Sequence, residues 1–111
     1  MTSSPKERVW LVYSAYKIAY DRRKHDWKNA ETVKQVEMID RNLDRLELTY
    51  RRTIRGEMDK TGEDVEAAFK AAKQSLKEVK KAYDQAKKVT ERIRAVTNLV
   101  GSIDALVRKA L

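Results

Sequence analysis

Apolar residues recur along the chain at intervals of three and four, which is the spacing of one face of an α-helix. The first such stripe runs through Val9–Tyr20, and further apolar residues lie on other faces of the same segment. Ser4, Pro5 and Glu7 form the residue pattern of a capping box, which marks a helix start. The pattern predicts helix 1 over about 5–28, apolar on more than one side and therefore either the central element of a bundle or part of an oligomer interface.

A second stripe runs through Val36–Tyr50 and predicts helix 2 over about 30–58, with Asn29 as a plausible cap. The pattern fades before Thr61-Gly62. The acidic pair Glu63-Asp64 then suits the first turn of a helix, because carboxylates interact favourably with a helix N-terminus. We therefore expect helix 3 to begin at about residue 62.

Helix 3 is predicted from the longest pattern in the chain, in which apolar residues are spaced alternately four and three residues apart over about 62–100. Its members are Val65, Phe69, Ala72, Leu76, Val79, Tyr83, Ala86, Thr90, Ile93, Thr97, Val100 and Val107, interrupted at Asp104. Gly101-Ser102 resembles a break. The apolar phase nevertheless continues from Val96 to Ala110, so we expect helix 3 to continue or bend into 102–111.

These elements predict one all-α domain over residues 1–111, either an elongated up-down-up three-helix bundle or a helical hairpin. Helix 3 would be long and coiled-coil-like, with a short fourth C-terminal helix as the alternative. A long helix 3 would project beyond helix 1 and expose its apolar end. The residues exposed would be Leu99, Val100, Ile103, Leu106 and Val107. We expect this segment to mediate self-association, giving a homodimer.

Composition narrows the choice of function without naming one. The 111 residues carry a net charge of +8, which favours a polyanionic or acidic partner, although small helical proteins are also basic for solubility alone. The chain has no cysteine, hence no disulfide or thiolate metal site. No apolar run is long enough to span a membrane and no signal pattern is present, so a cytoplasmic protein is expected.

Catalytic and metal-binding patterns are lacking. His25 is the single histidine, so it cannot pair with another to ligate a metal. The carboxylates Asp40, Asp44 and Glu47 share a helix face but alternate with arginines, which favours a solvated, salt-bridged surface. The sequence predicts no enzyme, no cofactor and no metal site.

Basic residues cluster where the helices of an up-down-up bundle would meet. Cations near helix C-termini offset the helix dipole, and this explains part of the clustering. Beyond that requirement, the topology would gather one group of cations at one end of the bundle. This group, called the basic pole, comprises Arg22, Arg23, Lys24, Lys28, Lys34, Lys87, Lys88, Arg92 and Arg94.

The preferred interpretation is a non-enzymatic protein–protein interaction or assembly module that acts through coiled-coil faces, with the basic pole attracting an acidic partner. A basic nucleic-acid-binding protein is the first alternative, although no nucleic-acid-binding motif is present. A membrane-surface module is the second, because helix 1 is rich in tryptophan, tyrosine and flanking cations. It ranks last, since aromatic stripes at helical spacing usually face a core.

Overall fold

A computed structural model describes residues 2–111, which form four helices of nearly equal length. Helix α1 spans Pro5–Asn29, α2 spans Val33–Arg55, α3 spans Glu63–Asp84 and α4 spans Val89–Ala110. The prediction of an all-helical protein is confirmed. A fourth helix, predicted as the alternative, is present, but it begins at Val89 and is as long as α3.

Neighbouring helices alternate in direction. Tyr50, late in α2, packs against Tyr13 early in α1, whereas Asp40, early in α2, accepts a hydrogen bond from Trp27 at the end of α1. These two helices are therefore antiparallel. Helices α3 and α4 form a second antiparallel pair. The linkers 30–32 and 85–88 consequently lie at one end of the bundle, and the linker 56–62 lies at the other.

Helix α4 occupies the centre of the bundle. It packs against all three other helices, while α2 and α3 do not pack directly against each other. Its side chains supply much of the core, including Leu99, Ile103, Leu106 and Val107, all fully buried. Helix α1 also packs against all three other helices, as expected for an element buried on more than one side, but α4 supplies more of the buried residues.

The capping box at the start of α1 is confirmed. The Ser4 hydroxyl accepts from the Glu7 backbone N–H, and the Glu7 carboxylate accepts from the Ser4 backbone N–H. Helix α2 is shorter than predicted, because its N-cap is Thr32 rather than Asn29 and its last residue is Arg55. The Thr32 hydroxyl accepts from the N–H of Gln35, which satisfies one of the free donors of the first turn.

The prediction of a single long helix over 62–100 is wrong, because the chain turns at residues 85–88. The Lys87 N–H donates to the carbonyl of Ala82, and the Ala86 N–H donates to that of Tyr83. This pair of bonds is the Schellman arrangement, which ends a helix with one left-handed residue. Ala86 takes that conformation with φ +50°, although the position usually holds glycine.

The exposure predicted for the C-terminal segment is also wrong. Helix α4 runs without interruption through Gly101-Ser102, as the continuous apolar phase predicts. Because the chain folds back at residues 85–88, this helix lies inside the bundle instead of projecting from it. The residues proposed for self-association are buried within one chain: Leu99, Val100, Ile103, Leu106 and Val107. The physical reason for expecting a dimer through this segment is therefore removed.

Candidate partner-binding surfaces

A buried polar network joins three helices at the end where α1 and α3 stop and α4 begins. Asp26 of α1, only 4% exposed, accepts a hydrogen bond from the hydroxyl of Tyr83 on α3. Arg92 of α4, 6% exposed, holds its Nε 3.3 Å from Asp26 Oδ1 and a terminal nitrogen 3.0 Å from His25 Nε2. The guanidinium groups of Arg22 and Arg92 both lie over the Tyr83 ring. These contacts fix the relative positions of the three helix ends.

Burial controls the protonation of this network. It raises the pKa of Asp26 above the usual range, while the Tyr83 hydrogen bond and the charge of Arg92 act in the opposite direction. Burial, aided by the Asp26 carboxylate, raises the pKa of the Tyr83 hydroxyl far above its ordinary value. Tyr83 therefore remains a neutral hydrogen-bond donor. Because both charged groups are desolvated, the network defines a geometry more than it adds stability.

The residues of the basic pole lie at this end of the bundle, around the linkers 30–32 and 85–88. Most are exposed, namely Arg22, Lys24, Lys28, Lys34, Lys87, Lys88 and Arg94. Arg23 is half-buried between the rings of Tyr20 and Trp27. Arg92 is the exception, since its guanidinium belongs to the buried network. The burial of Arg92 could have been predicted from the sequence, because Arg92 lies one helical turn before Val96 on the apolar stripe of α4.

The exposed cations of the basic pole form no ion pair with residues 2–111. Among residues 2–111, side-chain ion pairs form between Arg8 and Glu66, Lys17 and Asp21, Arg45 and Asp104, Arg51 and Glu47, and Arg92 and Asp26. No exposed cation of the basic pole takes part in them. Two helix C-termini and two N-termini meet here, so the helix dipoles largely cancel. The cations therefore exceed what the helix ends require.

A second surface follows the junction of α1 and α2, where aromatic rings stack in a continuous series. The ring centroids of Trp10 and Tyr13 are 5.6 Å apart, and Tyr50 of α2 lies 5.3 Å from Tyr13 and 5.7 Å from Tyr16. Tyr16 in turn lies 6.0 Å from Tyr20. These separations suit tilted and offset aromatic pairs.

The guanidinium of Arg23 extends the series to Trp27. It lies 5.5 Å from the ring of Tyr20 and 4.9 Å from that of Trp27. The indole N–H of Trp27 donates to Asp40 of α2 at 2.9 Å, which closes the α1–α2 corner. His25 lies beside the Arg92 guanidinium.

At the other end of this series the α1–α2 junction opens into a groove of about 880 Å³. It is lined by Lys6, Val9, Trp10, Tyr13 and Tyr50. Trp10 is 67% exposed, an unusual state for the largest apolar side chain. Sequence reasoning assigned the helix 1 aromatics to a core and did not find this groove, because their burial depends on where α2 ends.

Within residues 2–111, no group of histidine, cysteine, aspartate and glutamate side chains is arranged to hold a metal ion. None of the helices in this part of the chain is long and apolar enough to cross a membrane. Comparison with protein-family models, with curated proteins and with solved structures finds no significant match.

Proposed function

We propose that the protein is a cytoplasmic, non-enzymatic helical interaction module that binds an acidic partner protein through the basic pole. One observation carries this proposal: the exposed cations of the pole take part in no ion pair within the described residues. Cations left free at one end of a molecule attract an acidic surface and accelerate its association.

The pole has the rigidity that a binding surface needs. The network of Asp26, Tyr83 and Arg92 ties three helix ends together beneath the exposed cations. A second apolar cluster of Ile39, Val89 and Ile93 anchors the starts of α2 and α4 at the same end. Cations held on a rigid base lose less conformational entropy on binding than cations on mobile loops.

The shape of the pole supports the same conclusion. A groove of about 410 Å³ runs between α3 and α4, and Lys81, Lys87 and Arg94 lie along it. The small side chains of Ala82 and Ala95 leave room for an incoming chain. Glu78 and Glu91 also line the groove, so an occupant should present carboxylates at defined positions rather than a uniform negative charge.

Charge reversal at the pole tests the proposal. We expect the triple variant Lys87→Glu, Lys88→Glu, Arg94→Glu to bind immobilised polyglutamate at least about tenfold more weakly at low salt, since each reversal replaces an attraction by a repulsion. Arg92 is left unchanged because it is buried. The measurement is surface plasmon resonance across a series of salt concentrations.

A matched control is available at the opposite end of the bundle. The triple variant Arg52→Glu, Arg108→Glu, Lys109→Glu changes the net charge equally, at exposed positions near the ends of α2 and α4. It should retain most of the binding. Equal losses in the two variants would mean that polyglutamate responds to net charge alone, and the proposal would fail.

A nucleic acid is the second candidate ligand. Tyr20 and Trp27 are partly exposed beside Arg23, Lys24 and Lys28, and single-stranded nucleic acids stack their bases on aromatic rings set among cations. A fluorescein-labelled deoxythymidine oligonucleotide distinguishes the two. The second candidate replaces the first if two results are obtained together. The unsubstituted protein must bind the oligonucleotide more tightly than it binds polyglutamate, and Trp27→Ala must weaken oligonucleotide binding while leaving polyglutamate binding unchanged.

A further inference from the structure

The outward face of α1 alternates lysines with aromatic residues along its whole length. Its members are Lys6, Trp10, Tyr13, Lys17, Tyr20, Lys24, Trp27 and Lys28, spaced mostly three and four apart. The basic pole contains the last lysines of this face, and the groove around Trp10 contains the first. The two surfaces described above are therefore joined by one continuous strip, which measures about 33 Å at the rise of an α-helix.

The groove end of the strip has the features of a binding hot spot. Trp10 stands exposed beside Val9, Tyr13 and Tyr50, so an incoming apolar side chain would contact aromatic surface on several sides. Tryptophan and tyrosine dominate the residues that contribute most to protein–protein binding. One turn after Tyr50, Ile54 is also exposed and extends the apolar area along α2.

The free charge on the strip is positive, because nearby carboxylates already have partners. Asp21 is paired with Lys17 at 3.1 Å, and Glu47 with Arg51 at 3.1 Å. Lys6, the single charged residue that lines the groove, takes part in no ion pair among residues 2–111. Towards the pole, Lys24 and Lys28 are similarly free.

From this arrangement we infer that the acidic partner contributes an amphipathic helix, which lies along the α1–α2 junction. Its apolar side chains enter the groove beside Trp10, and its carboxylates meet Lys24 and Lys28 of the basic pole. An apolar groove continuous with a row of cations matches a helix that is apolar on one face and acidic beside it. This inference rests on the proposed function and specifies the form of its partner.

Two other occupants fit the strip less well. A second copy of the chain would bring two positively charged faces together, which opposes association. A lipid bilayer favours a face whose aromatic side chains are free to insert, whereas Asp40 holds the indole N–H of Trp27, so this ring is tied to α2.

The test uses Trp10 as its own reporter. In the variant Trp27→Phe, Trp10 is the sole tryptophan of the chain. The probe is a synthetic 22-residue helix with leucines at positions three and four apart and glutamates beside them, and the control is a scrambled peptide of equal composition. We expect the amphipathic peptide, and not the scrambled one, to shift Trp10 emission to shorter wavelengths.

Substitution then locates the contact. Trp10→Ala should weaken binding of the fluorescein-labelled peptide by about thirtyfold, the effect of losing one hot-spot side chain, while Trp10→Phe loses less. Leu48→Ala is the matched control, because Leu48 is equally exposed but lies on the outer face of α2. It should leave the affinity unchanged. Equal affinities of Trp10→Ala and the parent chain would overturn the inference.

Further measurements distinguish a failure of this inference from a failure of the proposed function on which it rests. Trp10→Ala should leave polyglutamate binding unchanged, since polyglutamate has no apolar face. If the basic pole binds polyglutamate but the amphipathic and scrambled peptides bind alike, the inference fails and the proposed function stands. A shift of Trp10 emission with phosphatidylcholine–phosphatidylserine vesicles but not with the peptide, or a dimer in light scattering that Trp10→Ala abolishes, would also overturn it.

Discussion

At the scale of single residues, Arg8 shows how one polar side chain can close an end of the bundle. It is completely buried, and its guanidinium donates to Ser3, to the carbonyls of Met58 and Lys60, and to the Glu66 carboxylate. Hydrogen bonds from the Ser3 backbone N–H, the Ser3 hydroxyl and Arg8 hold the pKa of Glu66 below its usual value. The N-terminus, the linker 56–62 and the start of α3 are thereby tied together.

Replacing this arginine by lysine should destabilise the protein by about 3 kcal/mol, because lysine lacks the planar fork and leaves buried acceptors without donors. Urea denaturation followed by circular dichroism gives the change in the free energy of unfolding. The control is Arg45→Ala, which removes an exposed guanidinium paired with Asp104 and should cost less than about 1 kcal/mol. Similar losses in the two variants would show that Arg8 does not act as a buried clamp.

Asp26 makes the opposite end of the bundle sensitive to pH. Because burial raises its pKa in the folded state, the folded protein binds this proton more tightly than the unfolded chain does. This contribution to stability is complete below the ordinary aspartate pKa and is lost as the pH rises through the raised pKa of Asp26.

The variant Asp26→Asn isolates this effect, since the amide does not titrate. We expect the stability of the parent protein relative to Asp26→Asn to fall as the pH rises from about 3.9, the ordinary pKa of aspartate, towards neutrality. Thermal unfolding of both proteins at a series of pH values measures the difference. A difference that is constant, or that grows with pH, would contradict a raised pKa.

At the scale of the helices, the turn at 85–88 was hidden by a coincidence of spacing. The alternation of four and three continues from α3 through Thr90, Thr97 and Asp104, which made one long helix the simplest interpretation. In the structure the core positions of α4 are instead Val89, Val96 and Ile103, each one residue earlier. Thr90, Thr97 and Asp104 are polar, recur every seven positions and each follow an aliphatic residue. This recurrence was the sequence feature that indicated a shift of the core positions by one residue.

Two substitutions test these helix boundaries by the sign of their effect. Ala86→Gly should stabilise the protein by about 0.5–1 kcal/mol, because glycine adopts the left-handed conformation of this position without strain. Gly101→Ala should stabilise it by a similar amount, because Gly101 lies in an exposed part of α4 where an added Cβ meets no neighbouring atom. Chemical denaturation measures both.

The alternative boundaries predict the opposite signs. If residues 85–88 continued a helix, Ala86→Gly would destabilise the protein by about 1 kcal/mol. If Gly101 marked a helix break with a left-handed conformation, Gly101→Ala would be destabilising. Gly62→Ala provides a reference, since Gly62 has φ +137° and should not tolerate a side chain.

Local chemistry made other features predictable. The start of α1 followed from Ser4, Pro5 and Glu7, because a capping box is complete within four residues. The burial of Leu99 and Leu106 could not be predicted from neighbouring residues. It depends on a turn more than ten residues earlier and on contacts with three other helices.

At the scale of the whole molecule, the two ends of the bundle differ in what closes them. The end containing the linker 56–62 is closed by Arg8 and carries acidic residues such as Glu57, Asp59 and Glu63 together with exposed cations such as Arg52 and Lys109. The other end carries the basic pole over the Asp26 network. The sequence pattern grouped the cations of this pole and included Arg92, which the structure buries, whereas the strip along α1 and its groove depend on the packing of α2 against α1.

The central claim is that an acidic partner binds at the basic pole, and a nuclear magnetic resonance titration tests it most directly. Polyglutamate is added to ¹⁵N-labelled protein at low salt, and the backbone amide shifts are followed. The account predicts that the largest changes cluster at residues 22–34 and 85–94 and disappear at high salt. Changes that centre on residues 52–60 and 108–111, or that spread evenly over the surface, would contradict it.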